Sequence, residues 1–189
     1  MQNLVGSKRI ELVSLLFFAF AIGISTQAAR KPVLAEKGEK LFTQFSLFYE
    51  GDHHITTNYR KGILVPVNTG VDFVKATRNR ITVRIPSYNV TVNFENEEDY
   101  SGEKIEGIFK RTFAREPVDL NNFSKEEQSA IKSGTVSVGM SKQAVIKAMG
   151  YPPRHKTPTL ELNQWRYWKN RFNTILVSFE DDKVSSIRD

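Results

Sequence analysis

The chain has no cysteine among its 189 residues. That removes disulfides, thiolate nucleophiles and cysteine-ligated zinc sites, and it removes lipid attachment of the lipoprotein kind, which needs a cysteine at the cleavage point. Histidine is nearly as scarce: His53, His54 and His155 are the whole supply. Neighbouring His53 and His54 point apart on an extended chain, and no H-x3-H spacing supplies ligands to one face of a helix, so Asp52-His53-His54 reads as a polar loop and no metal is expected. The sequence contains no G-x-S-x-G, no phosphate-binding G-x-x-x-x-G-K-[ST] and no G-x-G-x-x-G. Ser129-x-x-Lys132 and Lys132-Ser133-Gly134 look like two motifs of penicillin-binding enzymes, but one lysine would have to serve both. No catalytic residue and no cofactor is expected, and the chain reads as a non-enzyme.

Long apolar runs are also missing, with one exception. Leu12 to Ile24 is apolar except for Ser14 and the mild breaker Gly23, follows Lys8 and Arg9, and precedes small and polar residues from Ser25 to Ala29. As a helix it would rise about 20 Å, short of a hydrocarbon core of roughly 30 Å. This is the order of a secretory signal peptide, residues 1–28 with cleavage after Ala28. The expected product is a periplasmic protein, not a lipoprotein, with no transmembrane span once the leader is removed. Lys and Arg outnumber Asp and Glu by 27 to 21. In an exported protein that excess favours acidic envelope proteins or an anionic lipid or glycan surface as partners, and no nucleic acid.

Residues 41–100 carry period-two patterning. Ile63, Val65 and Val67 form one row, Ile81, Val83 and Ile85 a second, and Val90, Val92 and Phe94 a third, with turn residues at Asn68-Thr69-Gly70, Arg78-Asn79 and Pro86 to Asn89. Short antiparallel strands in a small barrel or rolled sheet are expected. Residues 101–133 read as connecting helices. Ile105, Ile108, Phe109 and Phe113 make one apolar stripe, and Ser124 with Glu127 makes a capping box that opens a helix closing at Ser133-Gly134. In residues 134–189, Thr135–Val138 reads as a strand. A helix follows, capped by Ser141 and lined by Val145, Ile146 and Met149. Gly150 is expected to end it in the left-handed conformation, before Pro152-Pro153. Strands are expected over Gln164–Lys169, Thr174–Glu180 and Val184–Arg188, the last two joined at Asp181-Asp182.

Two stretches carry a resemblance. Gly139-Met140-Ser141, Val145, Met149-Gly150 and Pro152, then Trp165 and Tyr167, then Val177, Phe179 and Val184 resemble the BamE-like (SmpA/OmlA) domain family. The resemblance implies a two-layer domain, helices on a three- or four-stranded antiparallel sheet, and a scaffolding role in outer-membrane or cell-envelope assembly. Gly62 to Val74 looks loosely like the start of a bacterial SH3-like module. The expected class is therefore α+β, an SH3-like β-rich module followed by a BamE-like domain. The chain departs from the family in lacking the lipoprotein cysteine and in carrying the extra β-rich half.

Alternation puts Trp165 and Tyr167 on one strand face, as a core row, and Trp168 on the other with Arg166. Basic residues gather around it: Arg154 and Lys156 before the strand, Lys169 and Arg171 after it. Trp168, Arg166, Lys169, Arg171, Arg154 and Lys156 are thus the candidate partner-binding residues, for an envelope protein or an anionic surface. The alternative function is binding or processing of peptidoglycan by the β-rich half, through a groove lined by Tyr49, Tyr59 and Tyr88.

Overall fold

The computed structural model describes residues 34–189, so the signal peptide expected over residues 1–28 lies outside the described residues. The class is α+β, as the patterning implied. The first half supplies β1 (Lys40–Thr43), β2 (Leu47–Tyr49), β3 (His53–Ile55), β4 (Ile63–Val65), β5 (Gly70–Ala76), β6 (Arg80–Ile85) and β7 (Val90–Glu95). With β8 (Phe113–Ala114) they form an open six-stranded sheet in the order β3-β7-β6-β5-β1-β8, and β2 pairs with β4 in a separate ribbon. The β3–β7 pair is parallel and the others are antiparallel. Ile81, Val83, Ile85, Val92 and Phe94 point to one buried side, as period two requires. The row at Ile63 does not hold: Val65 and Val67 are both buried, but Val67 lies in the turn after β4 and does not share the core of Val65. Ile63 itself is 50% exposed, because β4 has β2 as its one strand neighbour and nothing covers its start.

Helix α1 (Glu98–Ser101) is a single turn, and α2 (Ile105–Thr112) buries Ile105, Ile108 and Phe109 against the six-stranded sheet. The stripe does not run on as helix to Phe113, which instead begins β8 and pairs with Thr43. Helix α3 (Lys125–Ser133) starts with the expected capping box, Ser124 and Glu127 each bonding the other's backbone N–H, and ends at Gly134 with φ 65°. It packs in a second core, so residues 101–133 divide between the two cores. Thr135–Val138 is not a strand. The Thr135 N–H bonds back to the Ala130 carbonyl at 2.9 Å, closing the end of α3, and Val138 stands exposed in a turn. Helix α4 (Lys142–Met149) is capped by the Ser141 hydroxyl. Then β9 (Gln164–Trp168), β10 (Thr174–Glu180) and β11 (Lys183–Arg188) make an antiparallel sheet in the order β11-β10-β9. Trp165, Tyr167, Val177, Phe179 and Val184 pack with Val145, Ile146 and Met149 of α4 and Ala130 and Ile131 of α3.

The two cores meet where α3 and α4 end. A helix leaves its last four carbonyls without partners inside it, and buried carbonyls need partners. In α4 the Ile146 carbonyl accepts from Gly150 N–H at 2.8 Å and the Lys147 carbonyl from Ser46 N–H at 2.9 Å. The Ala148 carbonyl accepts from Arg60 Nη2 at 3.3 Å; that of Met149 accepts from Asn58 Nδ2 at 2.5 Å and Arg60 Nη1 at 3.1 Å. The same guanidinium donates to the Gly134 carbonyl at the end of α3, and Ser46 Oγ donates to Ile131 at 2.5 Å. Tyr151 packs against both cores.

Gly150 has φ 74° and ψ −169°, positive as expected but not the left-handed helical conformation. That region is open essentially to glycine alone. A Cβ there would lie 2.8 Å from the Phe45 ring and 2.7 Å from Asn58 Nδ2. Gly150→Val should therefore combine backbone strain of about 1–3 kcal/mol with overpacking of similar size. Denaturant unfolding of the variant should show a clearly lower midpoint, and superimposable curves would contradict this placement.

Candidate functional site at the open face of the last sheet

One face of the β9–β11 sheet meets the helices and the other is open. Register sets what the open face presents. Trp168 lies opposite Thr174, Arg166 opposite Leu176, and Gln164 opposite Ser178; across the next pair Leu176 faces Arg188 and Ser178 faces Ser186. The middle row is thus Arg166, Leu176, Arg188: an aliphatic side chain on the central strand between two exposed guanidiniums. Arg188 is there because of a bulge. A two-residue turn at Asp181-Asp182, both with positive φ, pairs Glu180 with Lys183 and Phe179 with Val184. The register shift between Ser178 and Phe179 leaves Ser185 unpaired, which sends Ile187 inward towards the second core and Arg188 outward.

Neither Arg166 nor Arg188 forms an ion pair among the described residues. Arg166 Nη1 has one polar contact, Thr174 Oγ1 at 3.4 Å. At the tip of the β9–β10 hairpin Phe172 is 83% exposed, with the Arg171 guanidinium 5.8 Å from its ring centroid. Lys169 is neutralised by Asp189 at 2.5 Å. Trp168 is half-buried. His155 stacks on it at 6.4 Å between centroids, and Tyr100 flanks His155 at 4.8 Å. Burial, and then the nearby Lys156, hold the His155 pKa below its usual value. Arg154 bends back toward the Gly102 carbonyl at 3.4 Å.

Of the six sequence candidates, Arg166, Lys169, Arg171 and Trp168 thus share β9 and its hairpin, with Trp168 partly roofed. Arg154 and Lys156 lie on the loop beside His155. Leu176 and Arg188 were missed. The spacing of Val184 and Ile187, both turned inward but three apart, is the one sequence signal of the bulge that brings Arg188 round.

The other candidates diverge. On β3, His53 faces outward between Asp52 at 2.8 Å and Glu95 at 3.3 Å, while His54 is buried against Phe94. Tyr49 is buried in the first core and the Tyr88 hydroxyl bonds the Leu64 carbonyl, so the tyrosines of the β-rich half do not line one groove. An open groove floored by Phe48, Met149, Ile175 and Ile187 has its cations engaged: Lys61 with Glu50, Lys169 with Asp189, Arg60 with helix carbonyls. A cavity of about 10 Å³ beside His54, Asn58 and Arg111 has room for about one water. No family model, no curated protein and no solved structure matches this chain.

His54 donates from Nδ1 to the Phe48 carbonyl at 2.7 Å. Burial pushes its pKa down to about 4 against the pull of that carbonyl, with the positive charges of Arg111 and Arg60 lowering it further. A depressed histidine means the unfolded chain binds more protons between pH 4 and 6.5. Stability from the neutral ring is complete above about pH 6.5 and is lost as pH falls towards 4, by about 3 kcal/mol. Subtracting the stability–pH profile of His54→Gln from that of the parent should expose this slope, and parallel profiles would contradict it.

Proposed function

We propose that the chain is a non-enzymatic binding protein of the cell envelope, exported by its leader, that holds a partner on the open face of the β9–β11 sheet. The observation that carries the reading is the row Arg166–Leu176–Arg188, in which neither guanidinium has a carboxylate partner among the described residues. Two desolvatable charges around an aliphatic centre, with an exposed aromatic at the adjacent hairpin tip, form the kind of patch that protein partners use as an anchor. The leader-like residues 1–28 support the compartment. The motif from Gly139 to Pro152 and the aromatic strand at Trp165 support a BamE-like domain and hence a scaffolding role in outer-membrane or envelope assembly. The helices on a three-stranded sheet are compatible with that family, and the strand-rich first half is then an added SH3-like module. With no cysteine for lipid attachment, the reading is of a periplasmic protein that is not lipid-anchored.

A photoreactive residue placed at Gln164 or Ser186, which share this face and leave both arginines in place, should give discrete protein adducts in living cells. The same residue at Arg78, on the far β5–β6 turn, should give none. Equal adducts at all three positions, or none at the two sheet positions, would overturn the reading.

A further inference from the structure

We propose that the occupant of the open face is an acidic amphipathic helix from a partner protein, an assignment that rests on the reading of this face as a binding site. Neighbouring strands lie about 4.8 Å apart, so Arg166 on β9 and Arg188 on β11 straddle Leu176 on β10 at a spread of roughly 10 Å. A helix with its side chains is about 10–12 Å across. Laid along β10, it seats an aliphatic side chain on Leu176. Carboxylates at the positions just before and just after that aliphatic residue point about 100° to either side of it, one towards each arginine. Arginine suits this, because its planar fork meets a carboxylate with two parallel bonds.

Charge selects the sign of the partner. Arg166, Arg188 and Arg171 are without carboxylate partners among the described residues, and the one acid on this face, Glu180, lies at the far end opposite Lys183. Polarity selects a helix over a bilayer. The row next to Leu176 is Gln164, Ser178 and Ser186, which would meet acyl chains with amide and hydroxyl groups but lies within reach of a helix's polar flanks. Phe172 stands at the hairpin end of the same track, where it can close over the helix terminus.

The test uses the leaderless chain and a synthetic Leu/Glu amphipathic peptide of about 15 residues, long enough to hold a helix when bound. Titration is followed by amide chemical shifts. Saturable shifts centred on Arg166, Leu176 and Arg188 are expected. Replacing Glu by Gln in the peptide, or Arg166→Gln with Arg188→Gln in the protein, should weaken binding at least about tenfold. Both arginines are exposed, so the double variant should melt like the parent. No binding, equal binding of the Gln peptide, or shifts mapping elsewhere would overturn the helix. A parallel arm uses phosphatidylglycerol vesicles. Vesicle capture that depends on the two arginines, with no peptide binding, would overturn the helix yet leave the face as the binding site. In-cell adducts at Ser186 without peptide binding would do the same, whereas absence of both removes the face itself.

Discussion

The ends of α3 and α4 are completed by residues from the other half of the chain, and the arrangement of the rest follows from that. Arg60 is half-buried and has no carboxylate partner among the described residues; its guanidinium meets the carbonyls of Gly134, Ala148 and Met149 and lies 4.7 Å over the Phe48 ring. Burial lowers its pKa to about 10, which still leaves it charged at neutral pH. Two helix C-termini converge on that charge, and each favours a cation, by up to about 2 kcal/mol in partly buried geometry. Removing the fork would strand the carbonyls of Gly134 and Ala148 at about 1–3 kcal/mol each, while that of Met149 keeps Asn58. The backbone of Arg60 adds a bond of its own, from its N–H to the Trp168 carbonyl at 3.1 Å on β9.

That last bond connects the junction to the open face of the β9–β11 sheet. Tyr167, one residue before Trp168, is fully buried; burial keeps its hydroxyl protonated, and it donates to the Gly150 carbonyl at 3.0 Å just past α4. The inner side of β9 is thereby fixed to the end of α4 and its outer edge to Arg60. Side chains alternate along a strand, so fixing Trp165 and Tyr167 inward fixes Arg166 outward. A rigid sheet with satisfied inner partners lets two arginines stand in solvent at a set spacing. A loose hairpin would let them collapse onto nearby acids such as Asp189.

Features written in neighbouring residues were legible in the sequence. The capping box at Ser124, the Ser141 cap, the glycine stops at 134 and 150, and the inward row of Trp165 and Tyr167 depend on contacts a few positions apart. What could not be read depends on distant backbone. Nothing in the spacing of Ser46, Asn58 and Arg60 marks them as partners for carbonyls 74 to 101 positions away. The parallel pairing of β3 with β7 and the two-residue β8 are likewise products of packing, since three residues carry too little pattern to register. Thr135–Val138 has strand-like alternation, but closing α3 takes its first N–H. At the open face, Arg166 and Trp168 were visible by alternation, whereas Arg188 depended on a bulge that period two conceals.

The most direct measurement is equilibrium unfolding of Arg60→Met, followed at Trp165 fluorescence for the second core and by amide exchange at Val83 and Val92 for the first. The methionine keeps an apolar side chain at the junction and removes the fork, together with its contact over Phe48. If the junction couples the two cores, the variant should lose on the order of 3 kcal/mol and the two probes should part into separate transitions. Coincident transitions at the parent's midpoint would show that the helix ends do not need Arg60 and that the cores are joined by packing alone.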